Sequence, residues 1–323
     1  MLLAGDIGGT KTFLGLFDPL PARPREMAVR AFATLEYDDL PSMIAAFTTD
    51  AAVAGAAIDA ACFGVAGPVI GEAAELTNVP WRVDAGHVAR ALAIARVALL
   101  NDLQAMAYGV PVLHEAELAV LQEGEALRGG NIALIAAGTG LGAALLHNVN
   151  GRFIPSSSEG GHADFAARNE REIEVMRSLS VRFGRAEVEQ VVSGRGLVNL
   201  HRIAHADCVC PAVADRNEPD APAAISKAAL ERRCDRCTEA LNMFVDAYGA
   251  EAGNLALRTV STGGLFIGGG IAPKILPALT DGRFMRAFCD KAPLTDMLAR
   301  MPVRVILNAE AGLLGAAVYA AGL

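Results

Sequence analysis

One pattern occurs twice in this sequence: an apolar run, a turn rich in glycine and threonine, and a second apolar run. The first copy has residues 2–4 and 13–17 around its turn, and the second has residues 132–137 and 143–146. Each copy predicts a β-hairpin whose turn exposes backbone N–H groups. The repetition therefore predicts an internally duplicated α/β architecture with one phosphate-binding hairpin in each half.

Composition narrows the class of protein further. The chain has 323 residues, 53% of them hydrophobic and 20% charged, which excludes a mainly disordered chain and corresponds to about two domains. Its net charge of −8 argues against a nucleic-acid-binding surface. The chain starts without a basic and then apolar leader, and its six cysteines lack disulfide spacing, so we expect reduced thiols in a cytoplasmic protein without a membrane partner.

The first glycine-rich turn has the chemistry of a phosphate site without being a P-loop. It nearly matches the Walker A pattern, but the residues after it predict a strand, whereas a P-loop must open a helix. Gly8 and Gly9 allow backbone N–H groups to approach a phosphate, Thr10 offers a hydroxyl, and Lys11 offers a positive charge. Asp6 is placed to hold a hydrated Mg²⁺ ion.

Two further glycine turns extend this pattern. The turn at 138–142 also precedes a strand and lacks the G-x-G-x-x-G order, which disfavours a dinucleotide-binding Rossmann site. A third turn, at 268–270, follows a short apolar run and precedes a proline typical of a helix start. Three such turns together indicate a nucleotide site more specifically than any one of them.

Eight segments carry a resemblance to a known family. They are, in chain order, 6–12 (DIGGTKT), 101–102 (ND), 138–142 (GTGLG), 158–162 (SEGGH), 193–200 (SGRGLVNL), 253–257 (GNLAL), 268–271 (GGGI) and 310–316 (EAGLLGA). In this order they resemble the bacterial glucokinases over essentially the whole chain. The resemblance implies an α/β fold of the actin-like ATPase (ribonuclease H-like) type, with two domains and an interdomain cleft. We expect a small domain of residues 1–109 plus 304–323 and a large domain of residues 110–303 with a helical insertion.

The resemblance also implies roles for individual residues. Asp102 matches the general base that takes the proton from the glucose 6-hydroxyl, and Asn101 matches a residue that binds the 3- and 4-hydroxyls. Glu159, His162 and Glu189 match residues that bind the hydroxyls at carbons 1 to 3. The residues that match phosphate contacts are Thr10, Lys11, Gly138 and Thr139, and Gly138 also matches a sugar contact. Gly269 and Gly270 match the residues beside adenosine. Arg195 stands where the family often has proline, a departure that concerns sugar selectivity near Glu189.

The chemistry of the matched residues fits an uncharged sugar. A hexose must be recognised through carboxylates, amides and imidazoles that hydrogen-bond its hydroxyls. Phosphoryl transfer needs mainly positioned groups and one carboxylate that accepts the hydroxyl proton. The expected activity is ATP- and Mg²⁺-dependent phosphorylation of glucose at the start of glycolysis, by a protein that the resemblance implies is a homodimer. A kinase for fructose or mannose, and an inactive sugar-sensing regulator, are the alternatives.

Two groups of residues raise the question of a metal. Cys234 and Cys237 fall on a stripe of apolar residues from Leu230 to Leu255 that predicts one face of a long helix, so buried thiols are the favoured interpretation. His201, His205, Cys208 and Cys210 also offer ligands, although a zinc ion there is the less favoured interpretation. A related kinase-and-repressor family has a cysteine-rich zinc loop directly after its Gly-Gly-His, which this chain lacks after His162.

Overall fold

The computed structural model describes residues 1–50, 53–76, 79–206, 208–213, 217 and 219–323. They form two compact units. Unit 1 contains Met1–Glu115, Phe153–Ser157 and Asn308–Leu323, and unit 2 contains Ala116–Arg152 and Ser158–Leu307. No helix in these described ranges is both long enough and apolar enough to span a membrane.

The strands and helices occur in groups along the chain. The strands are β1 (Leu2–Ile7), β2 (Lys11–Asp18), β3 (Arg25–Ala33), β4 (Ala60–Val65), β5 (Val69–Ile70), β6 (Ala73–Glu75), β7 (Arg82–Asp84), β8 (Arg96–Asn101), β9 (Leu118–Gln122), β10 (Ile132–Ala137), β11 (Leu141–Val149), β12 (Arg152–Ser158), β13 (Gly264–Gly268) and β14 (Val303–Ile306). The helices are α1 (Leu40–Thr48), α2 (Ala85–Leu92), α3 (Asp102–Gly109), α4 (Glu170–Phe183), α5 (Gly194–Ala204), α6 (Ala221–Leu230), α7 (Asp235–Thr259), α8 (Leu276–Leu279), α9 (Arg283–Cys289), α10 (Thr295–Ala299) and α11 (Ala311–Ala321).

The main sheet of unit 1 has the order β3–β2–β1–β4–β8. β1 is antiparallel to β2 and parallel to β4, and β4 is parallel to β8. Because side chains alternate along a strand, Leu2 and Ala4 join the apolar cluster that contains Ala105 of α3 and Leu313 of α11, whereas Leu3 joins the cluster on the opposite face. The central strand is therefore buried on both faces, which explains its unbroken apolar sequence.

The sheet of unit 2 contains β11, β10, β13, β14 and β9 in that order. β10 is antiparallel to β11 and parallel to β13, and β13 is parallel to β14. This is the same sequence of pairings as β2–β1–β4–β8, so the duplication predicted from the repeated pattern is present in the strand order of the two units.

Several details differ from the expectations. Unit 1 extends to Glu115 rather than to residue 109, and it also contains Phe153–Ser157, which were expected in the large domain. The strand β14 pairs with β13 and β9 in unit 2, and the chain returns to unit 1 after it, at Asn308, rather than at residue 304. A short apolar run does not encode which sheet it joins. The predicted long helix is also interrupted: α6 ends at Leu230 and α7 begins at Asp235, because Arg232 between them has φ of +52°, which no helix residue adopts.

Glycines allow close helix packing in both units. A Cβ atom on Gly253 of α7 would lie 2.5 Å from the carbonyl oxygen of Phe288 in α9. In unit 1, a Cβ atom on Gly315 of α11 would overlap the carbonyl oxygen of Ala105 in α3. The glycine at 315 is thus explained by the contact between α11 and the helix that begins with Asp102.

Candidate active site

The first glycine turn of unit 1 is held in shape by Thr34, which follows β3. The Thr34 N–H donates to the Thr10 carbonyl at 3.1 Å, and its hydroxyl donates to the Gly8 carbonyl at 2.9 Å. Gly8 in turn donates its N–H to the Lys11 carbonyl at 3.1 Å, and a Cβ atom on Gly8 would lie 2.7 Å from that oxygen. The turn between β1 and β2 is therefore a fixed backbone loop that leaves Thr10 and Lys11 exposed.

Asp6 lies near the end of β1, against the first turn of α11. A Cβ atom on Gly312 would be 2.8 Å from the Asp6 carboxylate, so this glycine admits the carboxyl group. Burial, and then the charge of Asp102, raise the pKa of Asp6 to about 7. Asp6 and Asp102 are therefore near enough for their charges to interact within unit 1.

Asn101 and Asp102 stand where β8 ends and α3 begins. The Asn101 side-chain oxygen accepts hydrogen bonds from the N–H groups of Leu103 at 3.0 Å and Gln104 at 3.3 Å, and its amide nitrogen donates to the Gly67 carbonyl at 3.2 Å. The Leu103 N–H also donates to the Asp102 carboxylate at 2.8 Å. A capped helix N-terminus favours a carboxylate, so Asp102 is both fixed and electrostatically stabilised.

The second hairpin turn, in unit 2, is tied to residues far along the chain. The Gly138 N–H donates to the Gly140 carbonyl at 2.8 Å, and the N–H of Gly194, at the start of α5, donates to the Gly138 carbonyl at 2.8 Å. The Leu141 N–H donates to the Glu189 carboxylate at 2.9 Å. A Cβ atom on Gly140 would lie 2.6 Å from the same carboxylate, so Glu189 packs directly against this turn.

The third glycine turn lies beside the second. Gly269 has φ of +82°, and a Cβ atom on it would overlap the carbonyl oxygen of Ala137, which also accepts the Ile271 N–H at 3.3 Å. A Cβ atom on Gly138 or Gly270, by contrast, would meet no atom of the described chain within 4 Å. Packing does not account for those two glycines, whereas close approach of a ligand to the backbone would.

His162 ends the short 3-10 turn Gly160–His162. Its imidazole pairs with the carboxylate of Glu187, a residue that was not among the predicted site residues. Its Nδ1 lies 2.9 Å from the Glu187 carboxylate. The hydrogen bond to Glu187 raises the pKa of His162. Partial burial lowers this pKa, and the negative charges of Glu189, Glu187 and Glu159 raise it further, so that the net shift is upward. The three residues matched to the sugar hydroxyls, Glu159, His162 and Glu189, therefore share one electrostatic environment in unit 2.

The structure thus groups the predicted residues within each unit. In unit 1 the turn from Gly8 to Lys11 follows Asp6, whose carboxyl group is influenced by Asp102. In unit 2 the members are Gly138, Thr139, Glu159, His162, Glu189, Gly269 and Gly270. Sequence reasoning missed Thr34 and Glu187, because each supports a site residue about 25 residues away and neither belongs to a recognisable pattern.

Comparisons with known proteins find one family across the whole chain. A family model described as Glucokinase matches residues 3–323. The glucokinase of Synechocystis sp. is 40% identical over 345 aligned positions, which cover 99% of this chain and 97% of that protein. A solved glucokinase from an Antarctic psychrotroph has a TM-score of 0.87 at 29% identity and covers 100% of this chain and 99% of its own. A ROK family glucokinase from Streptomyces griseus, solved with glucose and AMPPNP, shares the fold at 22% identity with a TM-score of 0.67, covering 100% of this chain and 99% of its own.

Proposed function

Because this chain belongs to the glucokinase family, we propose that it transfers the γ-phosphoryl group of ATP to the 6-hydroxyl of D-glucose and releases glucose 6-phosphate and ADP. The family places it among the glucose kinases of the actin-like ATPase fold. The observation that carries the assignment of the reacting group is the capping of α3 by Asn101, which fixes Asp102 at the N-terminus of that helix.

Asp102 acts as the general base in this reaction. Its carboxylate accepts the proton of the 6-hydroxyl while that oxygen attacks the γ-phosphorus, and the bond from the γ-phosphorus to the bridging oxygen of ADP breaks. Rigid mounting supports this role, since a base works only within hydrogen-bonding distance of the proton that it removes. Asn101 supplies the remaining N–H of its side-chain amide to a neighbouring sugar hydroxyl.

The glycine turns bind the phosphates and the nucleotide. Gly138 and Gly270 leave room beside the backbone, which supports approach of a phosphate or a nucleoside to their N–H groups. In unit 1, Thr10 and Lys11 are exposed at the first turn and supply a hydroxyl and a positive charge. The nucleotide AMPPNP in the Streptomyces griseus protein, an ATP analogue, supports ATP as the donor.

Sugar recognition belongs to Glu159, His162 and Glu189. Their mixture of carboxylates and an imidazole can pair with hydroxyl donors and acceptors of an uncharged hexose. The raised pKa of His162 keeps more of the imidazole protonated near neutral pH, so that it donates a charge-assisted hydrogen bond. A site that pairs buried hydroxyls can reject a ligand lacking one of them by as much as about 10⁴-fold.

The oxygen chemistry of Asp6 fits the Mg²⁺ ion that accompanies ATP. Its carboxyl group, partly enclosed beside Gly312, offers the type of ligand that hydrated Mg²⁺ prefers, and its pKa of about 7 allows ionisation at neutral pH. When bound, Mg²⁺ neutralises charge on the phosphate oxygens. Asp6 and the hydroxyl of Thr10 would hold its water ligands. The free thiols of all six cysteines support a cytoplasmic enzyme, and the family resemblance supports a homodimer, which light scattering after gel filtration would test.

A coupled assay of ADP release over a panel of hexoses and phosphoryl donors tests the proposed reaction. We expect glucose with Mg·ATP to give the highest kcat/KM, and Glu159→Gln to reduce it mainly through the KM for glucose. The matched control is Glu174→Gln, which changes an exposed carboxylate on α4 of the same unit. A preference for fructose or mannose, or an unchanged kcat/KM in Glu159→Gln, would contradict the assignment of glucose to these side chains.

A further inference from the structure

Five histidine and cysteine side chains meet in unit 2 where α5 ends and α7 begins. This His/Cys cluster contains His201, His205, Cys210, Cys234 and Cys237. His201 and His205 lie at the end of α5, Cys210 follows in the connecting segment, Cys234 is the N-cap of α7, and Cys237 lies in its first turn. All except Cys234 are buried. The residues matched to the kinase reaction lie elsewhere.

The distances within the cluster match those around a tetrahedral zinc ion. The Cys210 sulfur is 3.6 Å from the Cys237 sulfur and 3.9 Å from the Cys234 sulfur. His205 Nε2 is 3.6 Å from the Cys234 sulfur and 4.0 Å from the Cys237 sulfur. Zinc bonds of about 2.3 Å to sulfur and about 2.0 Å to nitrogen place tetrahedral ligand atoms ~3.3 to 3.8 Å apart. The four side-chain atoms therefore surround one point at nearly the required spacing.

The spacing of the cysteines along the chain agrees with these distances. Cys234 and Cys237 have the C-x-x-C spacing of structural zinc sites. Cys234 is the N-cap of α7 and Cys237 lies in the first turn of this helix of 25 residues, so the fold holds both thiols at one helix end. The sequence-based interpretation of these two cysteines as part of the apolar helix stripe is wrong for Cys234, because α7 begins only after it. Cys208, included among the sequence candidates, is exposed and is not part of the cluster.

We propose that this chain binds a structural zinc ion through His205 Nε2 and the sulfur atoms of Cys210, Cys234 and Cys237. Four protein ligands close the site, so the ion has a structural rather than a catalytic role. His201 packs its ring 4.3 Å from the ring of His205, and the ligand atoms of His201, His205, Cys210 and Cys237 lie within 4.8 Å of one another. Cys234 takes the fourth position in this proposal, because its sulfur lies 3.6 Å from His205 Nε2 and 3.9 Å from the Cys210 sulfur, and His201 is a neighbour of the site.

The ion would fix one end of α5 to the start of α7. The other end of α5 begins at Gly194, whose N–H holds the second glycine turn through Gly138. Zinc binding therefore stabilises the helix that supports this turn, without contacting it. A disulfide between two of the cysteines is the competing outcome, and it would leave His205 and the third thiol without a common role.

Metal analysis of the full-length chain tests the proposal. Protein produced with added zinc and purified without chelators should contain about one zinc ion per chain, as measured by inductively coupled plasma mass spectrometry. This is expected because a closed site of this kind binds zinc tightly. Cys210→Ser and Cys237→Ser should each lose most of that zinc. Cys208→Ser is the matched control, since it removes an exposed thiol two residues from Cys210, and it should retain the ion.

Cobalt substitution and thiol titration identify the ligands even where a variant folds poorly. The wild-type chain loaded with Co²⁺ should show tetrahedral d–d bands and thiolate-to-cobalt charge-transfer absorption, which weaken in Cys234→Ser and persist in His201→Gln. Three thiols should become reactive only after chelation of zinc. Protein without zinc, equal zinc in Cys208→Ser and Cys237→Ser, or a disulfide found by non-reducing mass analysis would overturn the site. Loss of metal in His201→Gln but not in Cys234→Ser would overturn this ligand set.

Discussion

The backbone N–H of Leu141 donates a 2.9 Å hydrogen bond to the carboxylate of Glu189, a residue matched to the sugar. One side chain therefore supports the second glycine turn and takes part in the proposed sugar site. Glu189→Ala would leave the Leu141 N–H without this acceptor, a loss of about 1–3 kcal/mol in a buried setting. We expect a lower free energy of unfolding and higher KM values for both ATP and glucose.

Steady-state kinetics and urea unfolding measure both effects. Glu174→Ala, which removes an exposed carboxylate from unit 2, serves as the control and should change neither KM. A variant of Glu189 with a higher KM for glucose but an unaltered KM for ATP would show that the hydrogen bond to Leu141 does not support the turn.

Asp102→Asn should remove turnover more than binding. General-base catalysis contributes about 10²–10⁴ in rate, and the amide keeps the shape of the side chain while losing its basicity. We expect kcat to fall by that factor while calorimetry still detects glucose binding. Asp84→Asn, at the N-cap of α2 in the same unit, is the matched control and should keep its kcat. A kcat above about a tenth of the wild-type value in Asp102→Asn would point to another base.

The pH dependence of His162 should follow from its pairing with Glu187. Glu187 raises the pKa of His162 above its usual value, so this pairing stabilises the folded state fully below about pH 6.5 and is lost as the pH rises through the folded-state pKa. An NMR titration should show an elevated pKa that falls in Glu187→Gln and not in Glu174→Gln. Equal titration curves in wild type and Glu187→Gln would refute the role given to Glu187.

Asp6 should also make stability fall as the pH rises, because burial destabilises the charged form of its carboxyl group. Its pKa rises from 3.8 to about 7 on folding, so the folded state binds more protons between these values and stability falls as the pH increases through them. Asp6→Asn removes this pH-dependent loss of stability. Between pH 4 and pH 8, the free energy of unfolding of the variant should therefore rise by on the order of 1–4 kcal/mol relative to that of wild type. Asp59→Asn is the control, because the hydrogen bond from the N-terminal amine lowers the pKa of Asp59, so its contribution to stability stays nearly constant between pH 4 and pH 8. Urea unfolding at the two pH values measures the difference, and an equal difference at both would contradict the shift.

Two glycine variants should separate ligand binding from folding. Gly315→Ala forces a methyl group into the Ala105 carbonyl and should unfold unit 1 or lower its melting temperature strongly. Gly138→Ala meets no atom of the described residues within 4 Å, so its melting temperature should match that of wild type while the KM for ATP increases. A normal KM for ATP in Gly138→Ala would argue that no phosphate approaches that backbone.

The sequence contained much of this arrangement because hairpins, glycine turns and strand-end polar residues are local features. The pairing of residues 13–17 with β1, and the position of Asn101 and Asp102 at a strand end, were predicted correctly, whereas β2 begins two residues earlier, at Lys11. Contacts between distant segments were not accessible. Thr34 and Glu187 support site residues through single hydrogen bonds, and the meeting of Cys210 with Cys237 depends on how α5 and α7 pack. Sequence patterns report only the spacing of residues along the chain, whereas these contacts arise from packing in three dimensions.

The contact between Gly315 and Ala105 also affects how the chain is made. About two hundred residues separate α3 from α11, a distance that a ribosome covers in ~10 to 40 s. All residues of unit 2 leave the ribosome within that interval, so unit 2 can fold while the sheet of unit 1 still lacks one of its covering helices. The segment carrying Asp102 gains its packing partner only when α11 emerges. A polypeptide interrupted before Asn308 would therefore carry a foldable unit 2 and no completed catalytic half.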